Sequence, residues 1–205
     1  PGQNSTGTPD QYWTGADSPD VWKSCAGPVL PFDGPVFGGL DLSMRTDLTA
    51  FVLIGRIGGV WHVQPTFWTH EKGHLDRERK DRSPYTLWER QGFLKTTPGR
   101  TVDYAFVAAD IARICAGLEV QGIAYDRWRI DLLRQEFEKI GADLPLVEWG
   151  QGFKDMAPAL DALEAELLNG RIAHGGHPVL SMCAASSTTV KDPTGARKLD
   201  KSRAT

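Results

Sequence analysis

The segment that decides the fold is Val36-Phe37-Gly38-Gly39-Leu40-Asp41-Leu42-Ser43. Its short apolar run, glycine pair and polar end are typical of a buried strand that ends at a turn. We therefore predict a first strand that ends near Asp41. Two runs rich in Val, Ile, Phe and Trp follow, from Leu48 to Ile57 and from Gly59 to Trp68, and Gly58-Gly59 between them predicts a hairpin. The three strands are expected to be antiparallel.

Downstream of this hairpin the sequence alternates between helical and strand patterns. A short helix is predicted over Tyr85–Gln91, and a turn at Thr96–Gly99 precedes Asp103, a predicted helix N-cap. The later predicted elements are a helix from Asp103 to about Leu118, a strand over Val120–Tyr125 ending in Asp126, a helix over Trp128–Ile140, a strand over Leu144–Val147 and a helix over Ala157–Leu168. Because helices separate these strands, we expect the strands to be parallel. The predicted fold class is α/β: a mixed sheet with three antiparallel strands followed by parallel strands, flanked by helices.

The composition is that of an ordinary globular protein. The chain has 205 residues, with 40% hydrophobic and 24% charged residues, a net charge of −3 and a pI near 6.0. These values argue against disorder, fibrous repeats and coiled coils. No apolar run approaches the ~20 residues of a membrane span, so no membrane association is expected. The three cysteines are widely spaced without a CxxC pair, which favours buried free thiols over disulfides or a thiolate zinc site.

A change of composition at residue 36 predicts a domain boundary. Residues 1–35 are rich in Gly, Pro, Ser, Asp and Asn, as in an arm or linker lying over a domain, and residues 36–205 form the predicted domain. Charges of both signs crowd His70–Arg82, which predicts a solvated loop or helix face. The tail from Val190 has a local excess of basic side chains, and both a solvated hairpin and a phosphate-binding one fit this pattern. These side chains are Lys191, Arg197, Lys198, Lys201 and Arg203.

Two acidic residues end predicted strands. Asp41 ends the first strand and Asp126 follows the fourth. If those strands are adjacent and parallel, both carboxylates meet at one end of the sheet, where they repel each other unless a hard divalent cation lies between them. The pair is therefore a candidate Mg²⁺ or Mn²⁺ site. The alternative is that each aspartate only forms a turn or caps a helix.

Other kinds of site find less support in the sequence. It has no GxxxxGK[ST] loop, no GxGxxG after a strand and no GxSxG, which argues against an NTPase, a Rossmann enzyme and an α/β-hydrolase. His174 and His177 could share one metal ion, although no third ligand with a recognisable spacing accompanies them. The other histidines are expected in a strand, for His62, and in the charged loop, for His70 and His74. Four tryptophans are expected to pack in the core or against a subdomain rather than to stack on bases. These are Trp68, Trp88, Trp128 and Trp149.

The segment Gly38–Ser43, with Thr46–Ala50 after it, resembles the first motif of the nuclease domain in the large terminase subunit of tailed bacteriophages. Further segments resemble the same family in order along the chain, and together they cover roughly Trp22 to the C-terminus. These segments are Thr97-Pro98-Gly99 with Val102-Asp103-Tyr104, Ile123-Ala124-Tyr125-Asp126-Arg127-Trp128, Gln151-Gly152-Phe153 with Met156-Ala157-Pro158 and Leu163-Glu164, Gly170-Arg171-Ile172 with His174-Gly175-Gly176, and Asp192-Pro193-Thr194-Gly195 with Lys198.

The resemblance implies an RNase H-like nuclease that cuts concatemeric viral DNA during genome packaging. Asp41 matches the first acidic metal ligand of the family, and Asp126 matches the second. The third acid is expected on a further C-terminal helix just beyond residue 205, so the domain is predicted to lack its last helix. Residues 1–35 then correspond to the linker from an upstream ATPase domain. Two other departures are His177 and Ser186-Ser187, since an Asn is common at both places in the family.

The mechanism that the resemblance implies is phosphodiester hydrolysis with two ions of Mg²⁺ or Mn²⁺. Asp41 would bridge both ions, while Asp126 and the third acid would complete their coordination. Asp47 and Ser43 are candidate auxiliary residues. The five basic residues of the tail would contact DNA phosphates with little sequence preference.

The implied partners are double-stranded DNA, the ATPase domain of the same full-length chain, the portal and the small terminase subunit. The expected location is the cytoplasm of the infected bacterial host. An alternative function is a docking module with an incomplete nuclease site, which would bind the portal, the capsid or the motor domain. An unrelated RNase H-like resolvase or transposase is disfavoured, because Gly170–Pro178 and the tail hairpin fit terminases better.

Overall fold

A computed structural model describes residues 19–43, 48–72, 78–79, 83–127 and 130–200. The helices are α1 (Pro19–Ser24), α2 (Tyr85–Arg90), α3 (Tyr104–Cys115), α4 (Ile130–Lys139), α5 (Phe153–Leu168) and α6 (Pro178–Ser186). The strands are β1 (Pro35–Asp41), β2 (Thr49–Ile57), β3 (Val60–His70), β4 (Lys95–Thr97), β5 (Glu119–Tyr125), β6 (Leu146–Glu148), β7 (Ile172–Ala173), β8 (Thr189–Lys191) and β9 (Arg197–Leu199).

Seven of the strands form one mixed sheet, with the order β4-β3-β2-β1-β5-β6 and with β7 paired to β3. The β1–β2 and β2–β3 pairs are antiparallel, and the pairs β1–β5, β5–β6, β3–β4 and β3–β7 are parallel. This confirms the predicted fold class. Strands β1, β3, β4, β5 and β6 all end at the same side of the sheet, which we call the carboxyl end. Ligands of open α/β sheets bind there.

One face of the sheet carries the main hydrophobic core. Alternate residues of β2, including Phe51 and Leu53, point to this face and are 1% exposed. Helices α3 and α4 cover them with Ile111 and Leu133. Trp68 of β3 is fully buried in the same cluster, as expected for a core tryptophan. This core fixes the positions of β1 and β5, which carry the two candidate acids.

The opposite face is covered over β3 by shorter elements. Phe67 packs with Trp88 of α2 and Val179 of α6, and Trp61 packs in a separate cluster with Leu167 of α5 and with Cys25. Trp149 is 42% exposed, so the prediction that it packs in the core is wrong, and Trp128 lies outside the described residues. This face therefore carries α6, which packs in the cluster around Phe67.

The two glycines of β1 have different surroundings, and two further glycines form a turn. A Cβ atom at Gly38 would lie 2.9 Å from Ile123 Cγ1 and 3.1 Å from Phe51 Cε2, whereas a Cβ at Gly39 would have no neighbour within 4 Å. Strand β1 therefore approaches β5 closely only on its core face. Gly58 and Gly59 form the β2–β3 turn with φ of 58° and 87°, as the predicted hairpin requires.

Several helix ends differ from the predicted ones. The Asp103 carboxylate accepts hydrogen bonds from Ala105 N (2.9 Å) and Phe106 N (3.3 Å), which confirms the predicted N-cap of α3. Helix α3 ends at Cys115 rather than near Leu118, because Gly117 has a φ of 78°. Helix α5 begins at Phe153, four residues before the predicted start, and contains Pro158.

The segment before β1 lies against the domain. The backbone of Cys25 accepts a hydrogen bond from His174 N at 3.0 Å, and Leu30 N donates to His62 Nδ1 at 3.0 Å. Phe32 packs against the main core. The boundary at residue 36 remains a prediction, and residues 1–18 lie outside the described ones. Within the described ranges, no helix is long and apolar enough to cross a membrane.

Candidate functional site

The two predicted metal ligands lie at the carboxyl end of adjacent parallel strands. Leu40 of β1 pairs with Tyr125 of β5. Asp41 and Asp126 are the next residues on these two neighbouring strands. Adjacent strands are about 4.8 Å apart. Asp41 is exposed and Asp126 is half-buried. The topology therefore brings both carboxylates to one place, which the sequence argument required.

The chain that leaves Asp41 is held by a small hydrogen-bond network. Ser43, 6% exposed, donates its backbone N–H to Thr49 Oγ1 at 3.1 Å, and the Thr49 hydroxyl donates to Ser43 Oγ at 3.0 Å. The Tyr104 hydroxyl, at the start of α3, donates to the Ser43 carbonyl at 2.8 Å. Ser43 thus ties the end of β1 to β2 and α3. Its predicted auxiliary role remains a prediction, and Asp47 lies outside the described residues.

The end of β5 is fixed by contacts of Tyr125, which is 5% exposed. Arg134 of α4 donates to the Tyr125 hydroxyl at 2.6 Å and lies 5.2 Å from the ring centroid. The backbone of Trp149 donates to the Tyr125 carbonyl at 2.9 Å. The residue immediately before Asp126 is therefore held on both its side chain and its backbone.

Helix α6 brings a thiol close to the acid pair. Burial, and to a smaller extent the negative charge of Asp41, raises the pKa of Cys183 to about 11. The thiol is therefore protonated at neutral pH and is not a thiolate ligand. Sequence reasoning missed this neighbour, since it depends on how α6 packs. Pro178 at the first turn of α6 and the preceding cap residue are the signal that predicts such a helix.

The two histidines proposed as a zinc pair have other roles. His174, 2% exposed, stacks on Trp22 at 4.1 Å, its Nε2 lies 2.8 Å from the Trp22 carbonyl, and its Nδ1 accepts from Gly176 N at 3.2 Å. His177 caps α6, with Nδ1 accepting from Leu180 N at 3.4 Å. In the part of the chain that the structure describes, no group of three His, Cys, Asp or Glu side chains could hold a metal ion. The zinc hypothesis for this pair is therefore not supported.

His70 also differs from its predicted place. It was expected in the charged loop, but it is the last residue of β3 and is 5% exposed. The pairing of His70 with Thr97 of β4 extends β3 to this point, because β4 forms where a turn was predicted. His74 lies outside the described residues, and His62 lies in β3 as expected.

His177 predicts a pH dependence of stability. Burial lowers the pKa of His177 from 6.5 to about 4. Above pH 6.5 the imidazole is neutral in the folded and unfolded chain alike, so the full stability is present. As the pH falls from 6.5 towards 4, the unfolded chain takes up a proton that the folded chain excludes. The free energy of unfolding then decreases by about 1–2 kcal/mol, since solvent screens this half-buried group.

We expect His177→Asn to flatten this part of the pH profile, because Asn keeps a capping oxygen and has no titratable group. Urea unfolding at about pH 7, 6 and 5 measures the free energy of unfolding of both proteins, and the difference between their slopes isolates this histidine. Equal slopes for the two proteins would contradict the prediction.

The tail residues form the predicted hairpin, and their surroundings differ from one residue to the next. Strands β8 and β9 pair around the turn at 192–196. Arg197 contacts Asp161 at 2.5 Å and also Glu164, both on α5, and these carboxylates raise its pKa. Lys198 lies 4.9 Å above the Phe153 ring, and Lys191 is exposed. Arg197 therefore attaches the hairpin to α5. The DNA contacts of these residues remain predictions, and Lys201 and Arg203 lie outside the described residues.

Comparison with known proteins places this arrangement in a family. The family described as "Terminase large subunit, endonuclease domain" matches residues 10–205. The large terminase subunit of Enterobacteria phage HK97 is 53% identical over 191 residues, which are 92% of this chain and 38% of that protein. This chain therefore spans about two fifths of the length of that relative.

Solved structures show the same fold. The crystal structure of the HK97 large terminase matches with a TM-score of 0.87 and 53% identity, over 92% of this chain and 40% of that one. The large terminase nuclease of thermophilic phage G20c matches with a TM-score of 0.54 and 10% identity, over 87% of each chain, and its magnesium-bound structure matches with a TM-score of 0.51. The chain therefore belongs to the family of terminase large subunit endonuclease domains.

Proposed function

We propose that this chain is a metal-dependent DNA endonuclease domain that cuts concatemeric viral DNA during packaging, in the cytoplasm of the infected bacterium. The observation that carries the proposal is the pairing of β1 with β5, which ends in Asp41 and Asp126 side by side. Membership of the terminase nuclease family supports the reaction class.

The acid pair fits a hard divalent cation. Two carboxylates at neighbouring strand ends repel each other, and oxygen ligands of this kind favour Mg²⁺ or Mn²⁺. The G20c nuclease, of the same fold, has been solved with bound magnesium. Bound divalent cations would lower the pKa of the attacking water and stabilise the charge on the leaving 3′ oxygen.

The protein's own part is to hold the ligands in place. Asp41 is exposed, so its carboxylate can be reached from solvent and could hold a divalent cation. Asp126 is half-buried and follows Tyr125 directly. The hydrogen bond between Arg134 and Tyr125 limits the movement of this end of β5. The described residues offer no group of three acidic, His or Cys side chains that could hold a metal ion. We therefore propose that a third ligand comes from outside them. Asp47 is the candidate within this sequence.

The hairpin supplies the proposed contact with the DNA backbone. Lys191 is exposed, and Lys198 and Arg197 are partly buried against α5. We propose that the basic side chains of the hairpin contact DNA phosphates, and that Arg197 also holds the hairpin on α5 through its two carboxylate partners. Contacts with phosphates alone give salt-sensitive binding without sequence preference, which suits a nuclease that cuts packaged DNA of varied sequence.

Plasmid cleavage and metal binding together test the proposal. We expect the chain to nick or cut supercoiled plasmid in Mn²⁺ or Mg²⁺, and EDTA to abolish the cleavage. Calorimetric titration with Mn²⁺ should show binding that Asp41→Asn removes, since this substitution takes away a ligand without changing the size of the side chain.

The two readouts separate the nuclease from the docking alternative. Binding of Mn²⁺ through Asp41 without cleavage in either metal would reject an active nuclease and favour a docking module for the portal, the capsid or the motor domain. Cleavage that Asp47→Asn also abolishes would assign the third ligand to Asp47. The small terminase subunit and the ATPase domain of the full-length protein are the other proposed partners.

A further inference from the structure

Two loops meet beside the acid pair at the carboxyl end of the sheet. Strand β3 runs in the same direction as β1, because both are antiparallel to β2, and β4 is parallel to β3. The segments that follow His70 of β3 and Thr97 of β4 therefore leave the sheet on the same side as Asp41. The sequence alone assigned no chemistry to the first of these loops.

Backbone contacts hold the two loops together. Glu71 N donates to the Thr97 carbonyl at 3.0 Å, and Lys72 N donates to the Gly99 carbonyl at 3.3 Å. The Glu71 carboxylate accepts from Gly99 N at 3.2 Å. Gly99 has a φ of 100°, a conformation that favours glycine, so the turn into residue 100 is well defined. Lys72 and Arg100 are consequently carried on neighbouring and fixed pieces of backbone.

The side chains of Lys72 and Arg100 are exposed. Several other basic residues, in contrast, form ion pairs with carboxylates. Lys95 and Arg113 pair with Asp110, Arg171 pairs with Glu166, and Lys139 pairs with Glu136. Within residues 19–43, 48–72, 78–79, 83–127 and 130–200, no carboxylate forms an ion pair with Lys72 or Arg100. The carboxylate of Glu71, which precedes Lys72 in the sequence, accepts a backbone hydrogen bond from Gly99 instead.

We propose that Lys72 and Arg100 form a phosphate-binding pair that holds the DNA backbone beside the acid pair. Strands β3 and β4 lie two and three positions from β1, or about 10 and 14 Å at a strand spacing of ~4.8 Å. One bound duplex is long enough to contact both the acids and this pair, since these distances correspond to only a few base pairs along its axis. The inference rests on the proposed nuclease function and places a second DNA contact on the side of the sheet that carries β3 and β4.

The test compares DNA binding by Lys72→Ala/Arg100→Ala with binding by Lys139→Ala. Lys139 ends α4, which leads back to the other end of the sheet, so its removal is a charge control. Fluorescence anisotropy with a labelled duplex in EDTA, over a series of salt concentrations, gives the affinity without cleavage. We expect the double variant to lose about 10- to 100-fold in affinity and the slope of log K against log salt to become shallower by about 2, with no change in the control.

The swap Lys72→Arg/Arg100→Lys keeps both charges and should retain the affinity of the unmodified chain, which separates a charge effect from misfolding. An affinity and a salt slope of the double variant equal to those of Lys139→Ala would overturn the inference while leaving the nuclease proposal intact. An unmodified chain that neither binds nor cuts DNA would overturn both.

Discussion

Asp41→Asn and Asp126→Asn are each expected to reduce DNA cleavage about a thousandfold, the scale on which removal of one electrostatic contact to the reacting groups acts. Each substitution removes a charged ligand from the place where β1 and β5 end together. Without metal, the free energy of unfolding of each variant should be unchanged or slightly higher, because one of two repelling charges is lost. Plasmid cleavage rates and thermal unfolding in EDTA measure the two effects.

Glu148→Gln is the matched control for these variants. Glu148 ends β6 and pairs in register with Tyr125, so it lies at the carboxyl end of the sheet as an exposed acid. It forms no three-residue metal group with the acid pair among the described residues. Its loss should leave cleavage within about twofold of the unmodified rate, since an exposed carboxylate outside the site contributes little. A loss as large as that of Asp41→Asn would contradict the assignment of the pair.

Gly38→Val is expected to destabilise the fold by about 1–3 kcal/mol, and Gly39→Val is not. A side chain at Gly38 meets Ile123 and Phe51, neither of which can retreat from the packed core, while the space beside Gly39 is open. Both substitutions add the same β-branched side chain to the same strand, so their propensity effects are equal. Urea unfolding of the two variants measures the difference.

The Gly38 variant also links packing to the site, since Gly38 lies three residues before Asp41 on the same strand. We expect its Mn²⁺ affinity to fall together with its stability if the strand shifts. Equal free energies of unfolding for the two valine variants would show that β1 and β5 are less closely packed than the structure indicates.

Periodicity was sufficient to predict the longer elements. Strands β2 and β3 and the Asp103 cap follow from local pattern, because alternation and capping are properties of a few neighbouring residues. The alternation of helices and strands favoured parallel strands, but it left open whether β1 and β5 are neighbours. The structure shows that they pair, which meets the condition on which the acid-pair hypothesis depended.

The elements that were missed depend on distant partners. Strands β4 and β7 have three and two residues, and each exists because it pairs with β3. Helix α5 begins before the predicted start, and Pro158 lies inside the helix although proline is typical of a first helical turn. Trp149 is apolar and exposed, and no local pattern separates it from the buried Trp68.

The parts of the site that were missed are contacts between elements far apart in sequence. Cys183 reaches the field of Asp41 only because α6 packs in one cluster with residues of β2 and β3. The charged run after His70 looked like ordinary solvated surface, and only the direction of β3 places Lys72 at the carboxyl end. Arg197 shows the converse, since its pairing with α5 could not be inferred from its place in a basic tail.

The glycine turn between β2 and β3 offers a place from which to observe the site. Ala50 pairs with Asp41, and Gly58 lies eight residues further along the strand, about 27 Å away at ~3.4 Å per residue. A fluorophore carried on a short insertion between Gly58 and Gly59 would therefore report the arrival of labelled DNA by energy transfer, from a point outside the reach of the acid pair. The hairpin turn thus provides a fixed position from which energy transfer can measure the distance to bound DNA.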